Sequence, residues 1–204
     1  MQTLISVLYT IMISLNIPVI AALLVLLIWT LYETGTFFRE WRDRKKAAKS
    51  WAGFIEKLSG AKASGASLKQ DFWELGTYPT LVSIFAGRSK KVQNAYIHLK
   101  KLVSEIELSA VKSCHRARLG VRLGPMLGLM GTLIPMGPAL KAITSGNIDA
   151  MSSNLIIAFG TTVTGLAIAG LCYIVFTVRQ HWYAKDISDI DYLLDTVFNE
   201  GGDE

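Results

Sequence analysis

Three long uncharged runs dominate the pattern of apolar and polar positions along the chain. They cover residues 1–32, 123–140 and 150–178, and none contains Asp, Glu, Lys, Arg or His. About 20 apolar residues span the hydrocarbon core of a bilayer, so each run predicts one transmembrane helix. The first run is longer than one span. Asn16 and Pro18 predict a break in it, with the span at residues 17–32 and an interfacial helix, or the start of that span, at residues 3–15.

The charged part of the chain also has a helical pattern. Apolar side chains at positions 92, 96, 99, 103, 106 and 110 follow one helix face, which is typical of a helix packed on a core. No proline follows before Pro125, so we predict one helix from about Ser89 into the second span, extending well beyond the bilayer. A further helix follows the third span, with its apolar face at Ile187, Ile190, Leu194 and Val197. The small residues at 59–67 predict a loop.

These patterns predict an all-α membrane protein with three transmembrane helices and long cytoplasmic helical extensions. The expected segments are an N-terminal segment with the first span (1–32), a cytoplasmic helical domain (33–122), the second span (123–140), an external loop (141–149), the third span (150–178) and a cytoplasmic C-terminal helix (179–204).

The distribution of charge predicts the orientation. Residues 33–122 contain 18 Lys and Arg but only 8 Asp and Glu, whereas residues 141–149 contain one of each sign. The positive-inside rule therefore places residues 33–122 and the C-terminus in the cytoplasm and the N-terminus outside. A basic cluster directly after the first span predicts an anchor on anionic lipid rather than a nucleic-acid site; it consists of Arg39, Arg42, Arg44, Lys45 and Lys46.

Other chemistry finds little support in the sequence. No nucleophile–base pairing, metal-ligand spacing or phosphate loop is present, so we expect neither an enzyme nor a bound metal or cofactor. Cys114 and Cys172 have no disulfide framework around them and are expected to be free thiols. Four aspartates of the C-terminal helix are expected to form a solvated face rather than a calcium loop; these are Asp186, Asp189, Asp191 and Asp195.

The second and third spans carry hydroxyls instead of acids. Thr132 lies in the second span, and Asn154, Thr161, Thr162 and Thr164 lie in the third. Proton transfer needs a group that titrates, which a threonine does not supply. If the function is ion transport, the ion pathway is therefore either a hydroxyl-lined pore or one to which a partner contributes the acid. The alternative is that each threonine bonds to its own helix backbone.

Small residues and prolines accompany these hydroxyls. Small residues let membrane helices approach closely, so we assign a packing role to Gly124, Gly128, Gly131 and Gly165. Pro125 is a candidate hinge where the cytoplasmic helix meets the membrane. Pro135 and Pro138 predict further breaks late in the second span.

The stretches GPMLGLMGTLIPMGPAL and TTVTGLAIA resemble the second-span and third-span patterns of the MotA/TolQ/ExbB proton channel family. Three spans with a large cytoplasmic loop are most similar to the ExbB/TolQ branch. The resemblance implies a homopentamer around a central pore in the inner membrane. It also implies a single-span ExbD/TolR/MotB-like partner whose aspartate titrates, and transport of protons or of sodium ions. By the same resemblance, Thr132 and Thr162 match the pore threonines and Pro125 the proline that opens the second span.

A second interpretation belongs to another functional class. The hairpin of the second and third spans would only oligomerise, while the cytoplasmic helices dock a soluble partner. Such a membrane-anchored scaffold conducts no ions and tolerates changes of its threonines.

Overall fold

The computed structural model describes residues 2–60, 71–73, 79–89 and 96–198, and every regular element in these ranges is helical. The helices are α1 (Gln2–Ser14), α2 (Asn16–Gly60), α3 (Thr80–Ser89), α4 (Tyr96–Thr144) and α5 (Ile148–Leu193), followed by a π-helical turn (Leu194–Phe198). Three helical segments are long and apolar enough to cross a membrane, and they lie along the α1–α2 region, α4 and α5. The chain is therefore an all-helical multi-pass membrane protein, as predicted.

The predicted break in the first run lies at Leu15, the one residue between α1 and α2. The amides of Leu15 and Val19 still donate to the carbonyls of Ile11 and Leu15, each over 3.1 Å. Pro18 has no amide hydrogen, so one helical hydrogen bond is missing at this point. The interruption is therefore a single residue.

α4 continues through all three of its prolines, Pro125, Pro135 and Pro138, and ends only at Thr144. The predicted breaks at Pro135 and Pro138 are therefore wrong. A proline removes one backbone hydrogen bond, and membrane helices tolerate this loss where neighbouring protein surrounds the site. Pro135 is among the fully buried side chains of the protein.

Some predictions lie partly outside the described residues. α2 extends to Gly60, and the rest of the loop predicted at 59–67 lies outside the described residues. Val92 of the predicted α4 stripe also lies outside them.

Residues Met1–Gly35 and Arg116–Phe176 form one compact unit. Its small core consists of Leu23, Ile168 and Cys172, with partly buried apolar side chains around them. This unit contains all three uncharged runs except the last two residues of the third, and we call it the membrane unit.

Residues Thr36–His115 and Thr177–Glu204 form a second compact unit, the polar unit. Its core joins both predicted apolar stripes: Leu99, Val103, Ile106 and Ala110 of α4 are buried, as are Ile190, Leu194 and Val197, and Ile187 packs against them. The core also contains Trp51, Phe54, Phe72 and Phe85. Both stripe predictions are confirmed for the described residues.

Candidate functional site

A three-residue turn makes α4 and α5 antiparallel neighbours. Gly146 has φ +70°, a conformation that glycine adopts without steric cost. The amide of Asn147 donates to the carbonyl of Ala142 over 2.9 Å and closes the end of α4. The side-chain oxygen of Asn147 then accepts from the amide of Ala150 over 3.0 Å, which caps the start of α5.

Glycines bring the two helix backbones of this hairpin into close contact. A methyl group added at Gly165 would lie 2.5 Å from the carbonyl oxygen of Gly124, and one added at Gly131 would lie 2.6 Å from Cβ of Thr161. At Gly128 the nearest atom would be the Thr161 carbonyl oxygen, at 3.3 Å. The four glycines assigned to packing therefore lie along a single α4–α5 contact, where small residues permit close packing.

Every predicted pore residue forms a hydrogen bond with its own helix. Thr132 donates to the carbonyl of Leu129 over 2.7 Å, Thr164 to that of Gly160 over 2.8 Å, and the Asn154 amide to that of Ala150 over 2.8 Å. These bonds are the alternative that the sequence left open. A hydroxyl that donates to the backbone still has a lone pair with which to accept a hydrogen bond from water.

Thr161 and Thr162 differ in their surroundings although they are adjacent. Both donate to the carbonyl of Ala158, Thr161 over 2.8 Å and Thr162 over 3.3 Å. Thr161 is buried against Gly131, whereas Thr162 is only half-buried. The bond of Thr162 is the longest of the set, so its hydroxyl is the easiest to redirect. Thr161 takes part in helix packing, and Thr162 is the better candidate for contact with an ion, water or partner.

The basic cluster after the first span divides into two kinds of residue. Arg39, Arg42, Lys45 and Lys46 are exposed, and the Lys45 ammonium lies 4.1 Å from the centre of the Trp41 ring. Arg44 points into the protein instead. Its Nη1 donates to Oδ1 of Asp186 over 2.9 Å, and its Nη2 donates to Oδ2 of the same carboxylate. The assignment of Arg44 to lipid anchoring is therefore wrong.

Arg44 belongs to a buried network of charges between α2 and α5. Nε of Arg179 donates to Oε2 of Glu40 over 3.0 Å, and Tyr183 Oη donates to the same oxygen over 3.4 Å. Nε of Arg44 lies 3.6 Å from Oε1 of Glu40. Burial raises the pKa of Tyr183, so this phenol stays neutral. The network fixes α2 beside α5 within the polar unit.

Asp186 is buried, so the prediction of a solvated aspartate face is wrong for this residue. Its Oδ2 also accepts from the amide of Leu81 over 3.2 Å. Burial raises the pKa of Asp186, and the hydrogen bonds from Arg44 oppose that rise. Two other aspartates of the predicted face accept hydrogen bonds: Asp189 from Trp51 Nε1 over 2.7 Å and Asp195 from Tyr96 over 3.1 Å.

A signal for this network was present in the sequence. Asp186 precedes Ile190 by four residues, which places it on the buried face of α5. Glu40 and Arg44 are likewise spaced four apart, on the face of α2 that contains Ala47 and Trp51. Charges at apolar-face positions of two helices predict a buried ion pair. The sequence alone does not show that α2 packs beside α5.

The MotA/TolQ/ExbB proton channel family has a model that matches residues 97–191. The matched segment includes nearly all of α4 and α5, and with them the glycine contact and the threonines. No curated protein and no solved structure matches the chain.

Proposed function

We propose that this chain, whose residues 97–191 match the model of the MotA/TolQ/ExbB proton channel family, is the channel-forming subunit of a proton-driven complex in the inner membrane. The observation that carries the proposal is the α4–α5 hairpin. The uncharged segments of two helices cross at glycines, and Thr162 is half-buried beside that crossing.

Several copies, five by resemblance to the family, surround a central path in this proposal. One hairpin cannot enclose a channel, because two adjacent helices would leave a water-filled path open to lipid on one side. The N-terminus and the 145–147 turn lie on the outer side of the inner membrane, and the polar unit lies in the cytoplasm. The role is that of a channel and not of an enzyme.

A single-span partner supplies the acid that the uncharged runs lack. Its membrane aspartate takes up a proton on the outer side and releases it on the inner side. Thr162 and Thr132 hold water or the carboxylate on the way, since a hydroxyl accepts and donates hydrogen bonds without titrating. Protons moving down their gradient then drive work that the partner transmits to the outside.

Ion flux in liposomes tests this function. The chain is purified with a single-span partner encoded beside it, and a pH-sensitive dye reports flux with Asp or with Asn in the partner's span. Thr162→Val removes the hydroxyl and retains the shape, so we expect flux to fall at least tenfold while assembly is unchanged. Thr144→Val is the matched control, because Thr144 also bonds to its own helix, to Lys141 over 2.8 Å, but at the end of α4.

Each result separates the candidate functions. Flux that requires the partner's aspartate and Thr162 supports a channel with a borrowed acid. Normal flux in Thr162→Val contradicts the role of this hydroxyl. An assembled complex that conducts neither protons nor sodium ions in any arrangement favours the membrane-anchored scaffold.

A further inference from the structure

The outward face of α2 in the polar unit carries a basic and aromatic stripe. Phe38, Arg42, Lys45 and Lys49 are spaced 4, 3 and 4 residues apart, so they share the side of the helix opposite the buried Ala47. All four are exposed, Phe38 by 54%. Trp41 borders them beneath the Lys45 ammonium. We call Phe38, Arg42, Lys45 and Lys49 the basic stripe.

A second exposed patch on the polar unit combines two carboxylates with two aliphatic side chains, and the exposed Lys100, Lys101 and Lys112 border it. Leu108 and Val111 are each 60% exposed and lie on the side of α4 opposite the buried Ile106. Glu107 is adjacent to them, and Asp191 lies one turn before Asp195, the residue of α5 that accepts a hydrogen bond from Tyr96 of α4. Partial burial, then Asp195 and Glu107, raise the pKa of Asp191, and Lys100 opposes them. We call Glu107, Leu108, Val111 and Asp191 the acidic flank.

Contacts within the polar unit place the two patches at the same depth. The Arg44–Asp186 ion pair sets α2 beside α5 in the same direction, and the Tyr96–Asp195 hydrogen bond sets α4 against α5 in the opposite direction. All three helices rise equally per residue. Residues that are equally many positions from these contacts therefore lie at the same height along the helix axes. Three such pairs are Lys49 with Asp191, Arg42 with Glu107, and Phe38 with Val111.

We propose that the basic stripe of one copy of this chain docks on the acidic flank of the next copy. Two different patches on one chain make a head-to-tail contact, which closes into a ring when the rotation allows it. Opposite charges at equal depth suit copies related by an axis along the membrane normal. The inference deepens the proposed function, because it rests on several copies surrounding one path.

Exposed ion pairs alone stabilise such a contact only slightly, because water and salt screen them. The apolar members therefore supply the dry centre, with Phe38 and Trp41 of one copy against Leu108 and Val111 of its neighbour. The charged members select the partner surface and its register. Anionic lipid would neutralise the basic stripe equally well, but it would leave the acidic flank and its two exposed aliphatic side chains unmatched.

Charge reversal in the full-length protein tests this contact. The basic double variant is Arg42→Glu with Lys49→Glu, the acidic double variant is Glu107→Arg with Asp191→Lys, and the quadruple variant combines them. Native mass spectrometry in nanodiscs counts the copies. We expect each double variant to lower the assembled fraction at least tenfold and the quadruple variant to restore it. Asp43→Lys with Lys57→Glu reverses two exposed charges elsewhere on α2 and should leave assembly unchanged.

The other outcomes overturn the inference in distinguishable ways. Double variants that assemble like the wild type exclude these surfaces. Loss of assembly in the basic double variant alone, relieved by removing phosphatidylglycerol from the nanodisc, assigns the stripe to lipid. Two disrupted double variants without rescue, all with wild-type helix content, exclude the pairing. A monomeric wild-type protein contradicts the proposed channel assembly as well as this contact. The three other outcomes contradict only the contact and are compatible with the channel assembly.

Discussion

Adjacent threonines have different surroundings because a helix turns about 100° from one residue to the next. Thr161 presents its side chain to Gly131, and Thr162 presents its side chain to the edge of the hairpin. The sequence shows only that both are hydroxyls in an apolar run. The distinction depends on which α4 glycine lies opposite, and that follows from the 145–147 turn and the register it imposes. The pore role itself stays a prediction.

Gly165 offers the clearest test of the hairpin contact. We expect Gly165→Ala to destabilise the protein by about 1–3 kcal/mol, because its methyl group meets backbone atoms that no rotamer change can move. Those atoms are the Gly124 oxygen at 2.5 Å and the Gly128 Cα at 2.9 Å. Thermal unfolding in detergent micelles, followed by circular dichroism, measures the change.

Gly160→Ala and Gly170→Ala serve as controls on the same helix. A methyl group at either position meets nothing within 4 Å. Alanine also lowers the entropy cost of helix formation by roughly 0.5–1 kcal/mol relative to glycine. These variants should be as stable as the wild type or slightly more so. Equal stability in all three variants would show that the α4–α5 crossing is not tight at Gly165.

The elements themselves followed from sequence wherever apolar periodicity was long. The stripes of α4 and of the C-terminal helix were predicted and are buried in one core. Two features were missed because they depend on tertiary partners. α4 continues through Pro135 and Pro138, and the protein that surrounds the buried Pro135 accommodates the hydrogen bond lost there. Arg44 and Asp186 were predicted to be surface charges, because the sequence does not show that α2 and α5 are neighbours.

The Arg44–Asp186 pair gives a prediction for how α2 and α5 are joined. Removing Arg44 leaves the buried Asp186 carboxylate without a cation, and removing Asp186 leaves Arg44 only Glu40, at 3.6 Å. Loss of one partner of a buried ion pair costs about 3–5 kcal/mol. We therefore expect Asp186→Leu or Arg44→Met to lower the free energy of unfolding by about that much. The double variant should lose much less, because neither charge remains buried. Denaturant unfolding of the four proteins in a double-mutant cycle measures the coupling. Purely additive losses would show that the two side chains act independently.

At the level of the whole chain, the two compact units are stabilised by different interactions. The membrane unit relies on close packing at glycines and on hydroxyls that donate hydrogen bonds to the backbone of their own helix. Lipid offers helices no hydrophobic driving force for association. The polar unit relies on a core of aromatic and aliphatic side chains, because water supplies that force. Each helix that crosses between the two compositions was recognisable from the sequence by its change from an uncharged run to an amphipathic stripe.

The orientation of the chain can be tested through two exposed positions. The 145–147 turn carries exposed residues around Gly146, and Ser104 is exposed on α4 in the polar unit. With 18 basic and 8 acidic residues in 33–122, the positive-inside rule predicts a cytoplasmic location for that segment. In a background with Cys114 and Cys172 replaced by alanine, an impermeant maleimide applied to cells whose outer membrane has been opened should label Ser145→Cys directly. It should label Ser104→Cys only after the inner membrane is also permeabilised. Labelling in the reverse order would invert the topology and place the positively charged polar unit outside, where a proton entering from the external side would meet it first.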